Sequence, residues 1–440
     1  MDRQRIGKSA SASNYTGQLH DAIGKFLPAR GLPLVSADGR RRWTDRLLVI
    51  MAIVMSWQPA NTLLDAFESA REVVVRMYVS RRRPGKTLSG YLWALHPASD
   101  DLLETVVKHL RRCVQQVARR RWKWKRWVIL AVDGTRVDCP RTAANEIVFG
   151  CAGRDKTCPQ QFLTTIFHVA SGLVWSFRRG PGTDSERLHA ADMLGDLPRR
   201  TLLLMDAGYS GYPLLRALVN GGHDFIVRVG HNMTLLKRLG YAIRERNGIV
   251  YLWPQGHRRE DPLILRCVRV RSPRQTVVLL TSVLSERQLS DAEVAAWYRR
   301  RWMVEVSYRT LKQTLGKRKM FSEAPHRAQV ELDWAVVGLW LLGLAAADSQ
   351  GMRYKDRWSA AIALRAVRRS MRDWHRRPPS GGLHEQLRQC RMDDYRRTGS
   401  KIIRRWPHKK NERLCGVPII RMATRAEVRR AQRLRTWKVA

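Results

Sequence analysis

The sequence has few acidic residues for its length. In 440 residues, 38 Asp and Glu stand against 81 Lys and Arg, which gives a formal net charge of +43. An excess of one sign this large opposes compaction through self-repulsion unless a polyanion binds. A basic excess spread along a whole chain is typical of proteins that bind nucleic acid. The imbalance therefore predicts a nucleic-acid partner before any motif is considered.

Features of export, membrane insertion and nucleotide binding are also missing. The N-terminal stretch MDRQRIGKSASASNYT has no apolar core of the kind that a signal peptide needs. The longest apolar stretches, residues 47–57 and 334–347, are shorter than the roughly 20 residues that span a bilayer. Seven scattered cysteines form no C-x2-C pair, and GRDKT and GPGT lack the glycine-lysine pattern of a phosphate loop. We expect a cytoplasmic protein with reduced thiols and no membrane contact.

Three regions follow from the pattern of apolar residues. Residues 1–118 predict a helical N-terminal DNA-binding region, in which Thr44 caps one helix, and residues 319–440 predict a basic helical C-terminal region. Between them, residues 119–318 predict strands first and then alternating helices and strands. This order is that of an α/β fold with a ribonuclease-H-like mixed sheet. Short β-branched runs at about 230–285 predict a β-rich insertion in this catalytic core.

Two aspartates stand out because each closes an apolar run that predicts a buried strand. They are Asp133 in WVILAVDGT and Asp206 in TLLLMDAGY. Taken alone, each has an ordinary explanation. Asp133 with Gly134 fits a type I′ hairpin turn, and Asp206 fits a turn or a helix N-cap. Only their joint occurrence with a third acid favours a shared site.

The third acid belongs to a predicted helix over residues 298–312. At about 100° per residue, Tyr298, Arg301, Glu305 and Lys312 fall within a sector of about 60°. A surface ion-pair ladder with Arg301 and Arg309, of ~0.3 kcal/mol per pair, explains Glu305 equally well when the helix is considered alone. The neighbouring face is apolar and is expected to pack in the core through Trp297, Val304, Tyr308, Leu311 and Leu315.

Three carboxylates at the ends of buried elements suit one chemistry in particular. They could hold two divalent metal ions, the arrangement used for in-line displacement at phosphorus, while nearby cations grip the phosphates. Trp302, next to the glutamate face, is expected either to stack on an extruded base or simply to pack. Trp253 in the insertion is a second candidate for stacking on a base.

The motif Y-x2-R-x3-E-x6-K, together with D-G-T after the first strand and D-x-G-Y after the second, resembles the bacterial DDE insertion-sequence transposases of the insertion-sequence-four group. The resemblance runs from about Trp127 to Leu315. It implies that Asp133, Asp206 and Glu305 form the catalytic triad and hold two Mg²⁺ or Mn²⁺ ions. It also implies that Tyr298, Arg301 and Lys312 contact DNA, with Trp302 beside them.

The same resemblance implies a DNA transposase that cuts element ends and joins them to target DNA. Its partners would be double-stranded DNA carrying inverted-repeat ends, the target DNA, and a second copy of the chain in the DNA complex. The β-rich insertion implies a cut-and-paste reaction through a DNA hairpin. Two alternatives remain at this point: a ribonuclease-H-like nuclease that does not rejoin DNA, and a catalytically retired relative that only binds DNA.

Overall fold

The structure is a computed structural model. It describes residues 15–32, 42–78, 84–153, 157–242, 248–271, 276–351, 358–372, 381–392 and 415–436. Buried apolar side chains from the N-terminal helices, the sheet and the C-terminal helices form one large core cluster. The predicted division into three regions stays a prediction.

Helices precede the sheet: α1 (Tyr15–Gly24), α2 (Asp45–Trp57), α3 (Leu63–Met77) and α4 (Leu88–Val117). Threonine side chains begin three of them. Thr44, Thr62 and Thr87 have extended backbones, and each hydroxyl accepts a hydrogen bond from the backbone N–H three residues on. This is the N-cap arrangement, and it confirms the cap predicted at Thr44.

The core of the fold follows in the order β1 (Val128–Asp138), α5 (Ala143–Phe149), β2 (Gln160–His168), β3 (Leu173–Pro181), α6 (Glu186–Asp192), β4 (Thr201–Met205), α7 (Tyr212–Asn220) and β5 (Asp224–Val229). In space the strands run β3-β2-β1-β4-β5. Strands β1, β4 and β5 are parallel, while β2 is antiparallel to both of its neighbours. This mixed α/β sheet has the ribonuclease-H-like arrangement that the sequence predicted.

The β-rich insertion continues the same sheet. Its strands are β6 (Thr234–Lys237), β7 (Ile249–Leu252), β8 (Leu263–Arg271) and β9 (Thr276–Thr281). Strand β9 pairs antiparallel with β5, and β8, β7 and β6 follow outward. The described sheet therefore has ten strands, with the outermost, β10 (Ile419–Met422), beside β6. Residues 319–440 were predicted to be helical, so the strand β10 differs from that prediction. It forms because the edge of β6 offers N–H and C=O groups with which a distant segment can pair.

Helices α8 (Asp291–Arg300) and α9 (Met303–Arg309), followed by a π turn at Thr310–Thr314, lead from the insertion to α10 (Pro325–Ser349). Beyond it lie α11 (Ala360–Arg372), α12 (Leu383–Arg388) and α13 (Arg425–Thr436). Helix α10 extends beyond the apolar stretch 334–347, and by its length and composition it could cross a membrane. Of its most apolar 18-residue window, 94% is buried inside the protein, as in a core helix.

Candidate active site

Adjacent parallel strands carry the two aspartates to the same level of the sheet. The register of β1 and β4 pairs Ala131 with Leu204, so Asp133 and Asp206, two residues further on, stand side by side. Asp206 directly follows β4 and accepts a hydrogen bond from the N–H of Ala207 at 2.8 Å, so it also caps the short turn behind it. Neighbouring parallel strands thus bring two carboxylates together at one edge.

Asp133 does not lie in a turn, and it does not close its strand. Strand β1 continues to Asp138, and Asp133 pairs with Thr165 on β2. The predicted strand end at residue 132 and the alternative of an Asp-Gly hairpin turn are therefore both wrong. Gly134 has an extended backbone because it pairs with the long antiparallel strand β2. Each residue that joins this pairing forms backbone hydrogen bonds that a turn would leave unmade. A Cβ at Gly134 would overlap the ring of Phe162.

The third acid is delivered by a helix with two irregular turns. The N–H of Arg301 bonds the carbonyl of Tyr298, and the N–H of Val304 bonds that of Arg301, so the chain is wound tightly between α8 and α9. After α9 the π turn winds it more loosely. The prediction of a single regular helix over residues 298–312 is therefore wrong. Its predicted apolar face is buried nonetheless.

The three acids meet at the guanidinium of Arg301, which is only 8% exposed. Nη1 lies 3.6 Å from Asp133 Oδ2, while Nη2 lies 3.5 Å from Asp206 Oδ2 and 3.2 Å from Glu305 Oε1. The predicted triad therefore converges in space, with a cation at its centre. The contact with Glu305 is the i,i+4 pair that the surface alternative proposed, but here it is part of a largely buried cluster.

Tyrosine hydroxyls hold the cluster in place. Tyr298 donates a hydrogen bond to Asp206 Oδ1 at 3.2 Å. The Tyr308 hydroxyl donates a hydrogen bond to the backbone carbonyl of Asp133. The Tyr308 hydroxyl oxygen lies 3.1 Å from the backbone N of Thr165 and 2.7 Å from the Thr165 hydroxyl oxygen. Tyr308 thus fixes Asp133 to both the helix and strand β2. Sequence analysis placed Tyr308 on the apolar face but missed this role, because nothing local predicts its partner across the sheet.

The electrostatics of the cluster are dominated by burial. Burial raises the pKa of Asp133 to about 6; Arg301 opposes the shift, and the charges of Glu305 and Glu186 add to it. Burial also acts to lower the pKa of Arg301, but the nearby Asp206, Asp133 and Glu305 raise it overall. One guanidinium among three carboxylates leaves an excess of negative charge. Such a site favours a further cation.

The donor set suits a divalent cation such as Mg²⁺ or Mn²⁺. All three donors are carboxylates, which these hard ions prefer. Within the described ranges no three acid, histidine or cysteine side chains stand close enough to hold a metal ion as they are. The guanidinium of Arg301 separates the acids. Its Nη1 has no hydrogen-bond partner, so its displacement by a cation would break one hydrogen bond, between Nη2 and Glu305, and the ion pairs with Asp133 and Asp206.

The other predicted DNA contacts are placed unequally. Trp302 is 56% exposed next to Arg301, so the alternative that it simply packs is wrong. Lys312 lies in the π turn, where burial lowers its pKa and Asp138 and Arg318 are its charged neighbours. Trp253 is 2% exposed and donates its indole N–H to Glu260 O at 2.8 Å. The prediction that Trp253 stacks on DNA is therefore wrong in this structure.

Known proteins share this core. Residues 124–341 match the family described as "Transposase DDE domain", and this part of the chain is a DDE transposase domain. Within the family it is similar to "Transposase InsG for insertion sequence element IS4" of Escherichia coli (strain K12), with 26% identity over 230 residues, 49% of this chain and 51% of that protein. The chain thus spans about half the length of this curated relative. The resemblance to the insertion-sequence-four group is confirmed.

Solved structures give weaker likenesses. The cryo-EM structure of the piggyBac transposase synaptic complex with hairpin DNA is 12% identical, with a TM-score of 0.41, and the match covers 87% of this chain and 83% of that one. The Mos1 transposase paired-end complex with the left transposon end is 13% identical, with a TM-score of 0.17, and the match covers 38% of this chain and 68% of that one.

Proposed function

We propose that the protein is a DNA transposase that cuts the ends of its element and joins them to target DNA. The observation that carries the proposal is the convergence of Asp133, Asp206 and Glu305 on one guanidinium, in a chain with a DDE transposase domain and a charge of +43. A retired DNA-binding relative has no reason to keep three carboxylates around one buried cation. The active enzyme is therefore favoured over the retired one.

In this proposal Asp133, Asp206 and Glu305 would hold two Mg²⁺ or Mn²⁺ ions. Such ions, when bound, polarise the scissile phosphate, lower the pKa of the attacking water or DNA hydroxyl and stabilise the leaving oxygen. Tyr308 keeps Asp133 fixed from behind, and Tyr298 orients Asp206. The chain's own contribution is the rigid placement of carboxylates that this chemistry demands.

Cations and one exposed aromatic ring would position the DNA strand. Arg301, released from the acids when a metal ion binds, can turn its guanidinium to a phosphate, which it matches in geometry. Trp302 is exposed beside it and can stack on a base. Tyr298 and Lys312 complete the predicted set of DNA contacts.

A basic groove supports DNA contact by the C-terminal region. Its lining includes Arg216 of α7, Arg259 of the insertion, and Arg429 and Arg430 of α13. Phosphate contacts of this kind position DNA without reading its sequence. We also infer that the DNA is the double-stranded, inverted-repeat end of the element together with its target, that two copies of the chain act together, and that the protein is cytoplasmic and bound to the nucleoid.

The position of the insertion is the basis for the predicted hairpin pathway. Strands β6 to β9 continue the catalytic sheet directly from β5, so the insertion and the acid cluster share one rigid scaffold. A hairpin intermediate forms when a freed 3′-hydroxyl attacks the opposite strand. The proposal is that this insertion steers that strand, in a cut-and-paste reaction.

A strand-transfer assay tests the proposed function. Purified full-length chain is incubated with Mg²⁺, a labelled duplex carrying the inverted repeat that flanks its coding region, and a supercoiled target plasmid. Joined products, and a hairpin on the flanking or element end before joining, are expected. Cleavage with no joined product would identify the alternative, a nuclease. Binding with no cleavage in either Mg²⁺ or Mn²⁺ would identify a retired relative.

A further inference from the structure

A fourth acid faces the cluster, and no pattern in the sequence singles it out. Glu186 lies in the first turn of α6, directly after the loop that follows β3. A Cβ at Gly208 would overlap Glu186 Oε2, so the carboxylate lies against the backbone of the turn that begins at Asp206. Helix α6 thus carries an acid to the same edge of the sheet as the two aspartates.

The helix that carries Glu186 is held firmly. His189, one turn further along α6, is 1% exposed. Its Nδ1 lies 3.1 Å from the hydroxyl of Thr164 on β2, and its Nε2 lies 2.9 Å from Asp184 Oδ2. These contacts fix α6 to the strand beside β1. Glu186 is therefore placed by the scaffold and does not owe its position to a flexible surface loop.

Glu186 is within electrostatic reach of the acids. It is one of the charges that add to the raised pKa of Asp133. Burial raises the pKa of Glu186 itself; Arg136 opposes the shift, and Asp206 adds to it. No described residue donates a hydrogen bond to its carboxylate. A half-buried acid that faces other acids without a donor is costly unless a cation joins it.

Two buried polar groups also lack partners here. Arg301 is 8% exposed, points Nη1 at Asp133, and forms no hydrogen bond through that nitrogen. Tyr209 is fully buried, its hydroxyl has no hydrogen-bond partner, and the charges of Tyr308, Glu186 and Asp133 all act on it. The Arg301 Nη1 nitrogen and the Tyr209 hydroxyl show that the polar contacts around the carboxylates are incomplete as they stand.

We propose that Glu186 is a fourth carboxylate of the divalent-cation site, and that it binds the cation directly or through one of the cation's water molecules. The inference rests on the proposed function, since it assigns a further ligand to the same site. It also accounts for the charge: four carboxylates neutralise two divalent ions, whereas three carboxylates leave one positive charge uncompensated.

The test measures the binding of Mn²⁺ alone to the full chain, by the electron paramagnetic resonance signal of free Mn²⁺. The variants are Glu186→Gln and, as a control on the same helix, Asp192→Asn, which removes a carboxylate paired with Arg178 at the surface. Glu186→Gln should weaken Mn²⁺ binding about tenfold or more, and Asp192→Asn should leave it unchanged. Thermal melts in chelator should show Glu186→Gln as stable as the unmodified chain or more so, because it relieves repulsion.

The outcomes separate this inference from the proposed function. If Asp206→Asn loses Mn²⁺ binding but Glu186→Gln binds as tightly as the unmodified chain, only the fourth-ligand inference is overturned. If the unmodified chain and Asp206→Asn bind Mn²⁺ equally weakly, the cation chemistry of the proposed function fails. A Glu186→Gln variant that melts early with unchanged affinity would make the residue structural. If Glu186→Gln does not fold, Glu186→Asp replaces it, because this variant keeps the charge but shortens the side chain by one methylene. Its affinity for Mn²⁺ should be intermediate, and an unchanged affinity would refute the inference.

Discussion

Two charge clusters in this protein are built as opposites. At the acid cluster one guanidinium, Arg301, faces three carboxylates, and burial raises the pKa of Asp133 to about 6. In the second cluster, which we call the C-terminal latch, the carboxylate of Glu427 in α13 faces two arginines, Arg258 and Arg421. Arg258 Nη2 and Arg421 Nη2 lie 2.6 and 2.7 Å from its Oε1. Hydrogen bonds from Arg421, Thr424 and Arg258 lower the pKa of Glu427 to about 2.

The two clusters differ in how far their charges are satisfied. Each oxygen of Glu427 receives a short hydrogen bond, and the N–H of Thr424 adds another at 2.8 Å. The carboxylate of the latch is therefore fully bonded as it stands, and it ties β10 and α13 to the insertion. Each cluster has one buried guanidinium nitrogen without a hydrogen bond, Nη1 of Arg258 and Nη1 of Arg301, so the excess of negative charge is what distinguishes the acid cluster. Raised carboxylate pKa values in a cleft are typical of functional sites, whereas satisfied pairs are typical of scaffolds.

The largest effect is expected from neutralising the acid cluster. Asp206→Asn and Glu305→Gln keep the side-chain shape but lose the charge that holds a metal ion, so each should reduce DNA cleavage by about 10²-fold or more. DNA binding should stay near normal, because phosphate contacts come from the cations. Cleavage and gel-shift assays on one preparation check both points. Cleavage that survives in either variant would remove that residue from the metal site.

Removing the central cation should destabilise the fold in a way that metal repairs. Arg301 is buried among three acids, so Arg301→Ala leaves their charges uncompensated. The free energy of unfolding in chelator should fall by about 1–3 kcal/mol, less than for a fully buried pair because Asp206 and Glu305 are about a third exposed. Mn²⁺ should restore the loss.

Leu311→Ala is the matched control for Arg301→Ala. It removes a buried apolar side chain from the same helical segment and should cost about 2–5 kcal/mol. Mn²⁺ should leave that loss unchanged, because no charge is involved. Thermal melts of both variants with chelator and with Mn²⁺ decide the matter. Equal responses to Mn²⁺ would mean that Arg301 is not exchanging with a cation.

Opening the latch should loosen the C-terminal segment and leave the catalytic sheet alone. Glu427 has a folded pKa of about 2, below its unfolded value, so its contribution is complete above about pH 4.5 and is lost as the pH falls toward 2. Glu427→Gln should mimic that loss at neutral pH, with about 2 kcal/mol less protection of the amides of β10 and α13. Hydrogen exchange measures it. Glu104→Gln, which breaks an exposed pair with Lys108, should change little.

The smallest effect is expected at Lys312. It lies in the π turn, apart from the three acids, so Lys312→Ala should weaken DNA binding modestly and slow cleavage less than Arg301→Ala does. The dependence of affinity on salt should become shallower by about one phosphate contact. Affinities measured between low and physiological salt test this. An unchanged slope would mean that Lys312 pairs with Asp138 and does not touch DNA.

Local patterns in the sequence were sufficient to predict strands, helix caps and buried helix faces. The apolar run before Asp206, the cap at Thr44 and the buried face of Trp297 and Leu311 are all present as predicted. These features depend on side chains within a few residues of one another. The order of strands and helices was sufficient for the ribonuclease-H-like sheet, because topology rules leave few ways to arrange it.

The rest depended on partners far away in the chain. The extension of β1 past Asp133 comes from pairing with β2, which outweighs the turn preference of Asp-Gly. The helical wheel assumed uniform winding, but the chain has a tight turn at Arg301 and a π turn that contains Lys312. Glu186 reaches the site only because α6 is fixed to β2 by His189. No spacing in the sequence records these contacts.

Exchange of the Arg301 guanidinium for a divalent cation among the three acids can be observed in crystals. Crystals of the full chain bound to duplex DNA, soaked in Mn²⁺, give anomalous scattering that locates the ion. We expect a peak within about 2.0–2.3 Å of oxygens from Asp133, Asp206 and Glu305, with Arg301 turned toward a DNA phosphate. Bound DNA with Arg301 still facing all three carboxylates, and no Mn²⁺ among them, would contradict it.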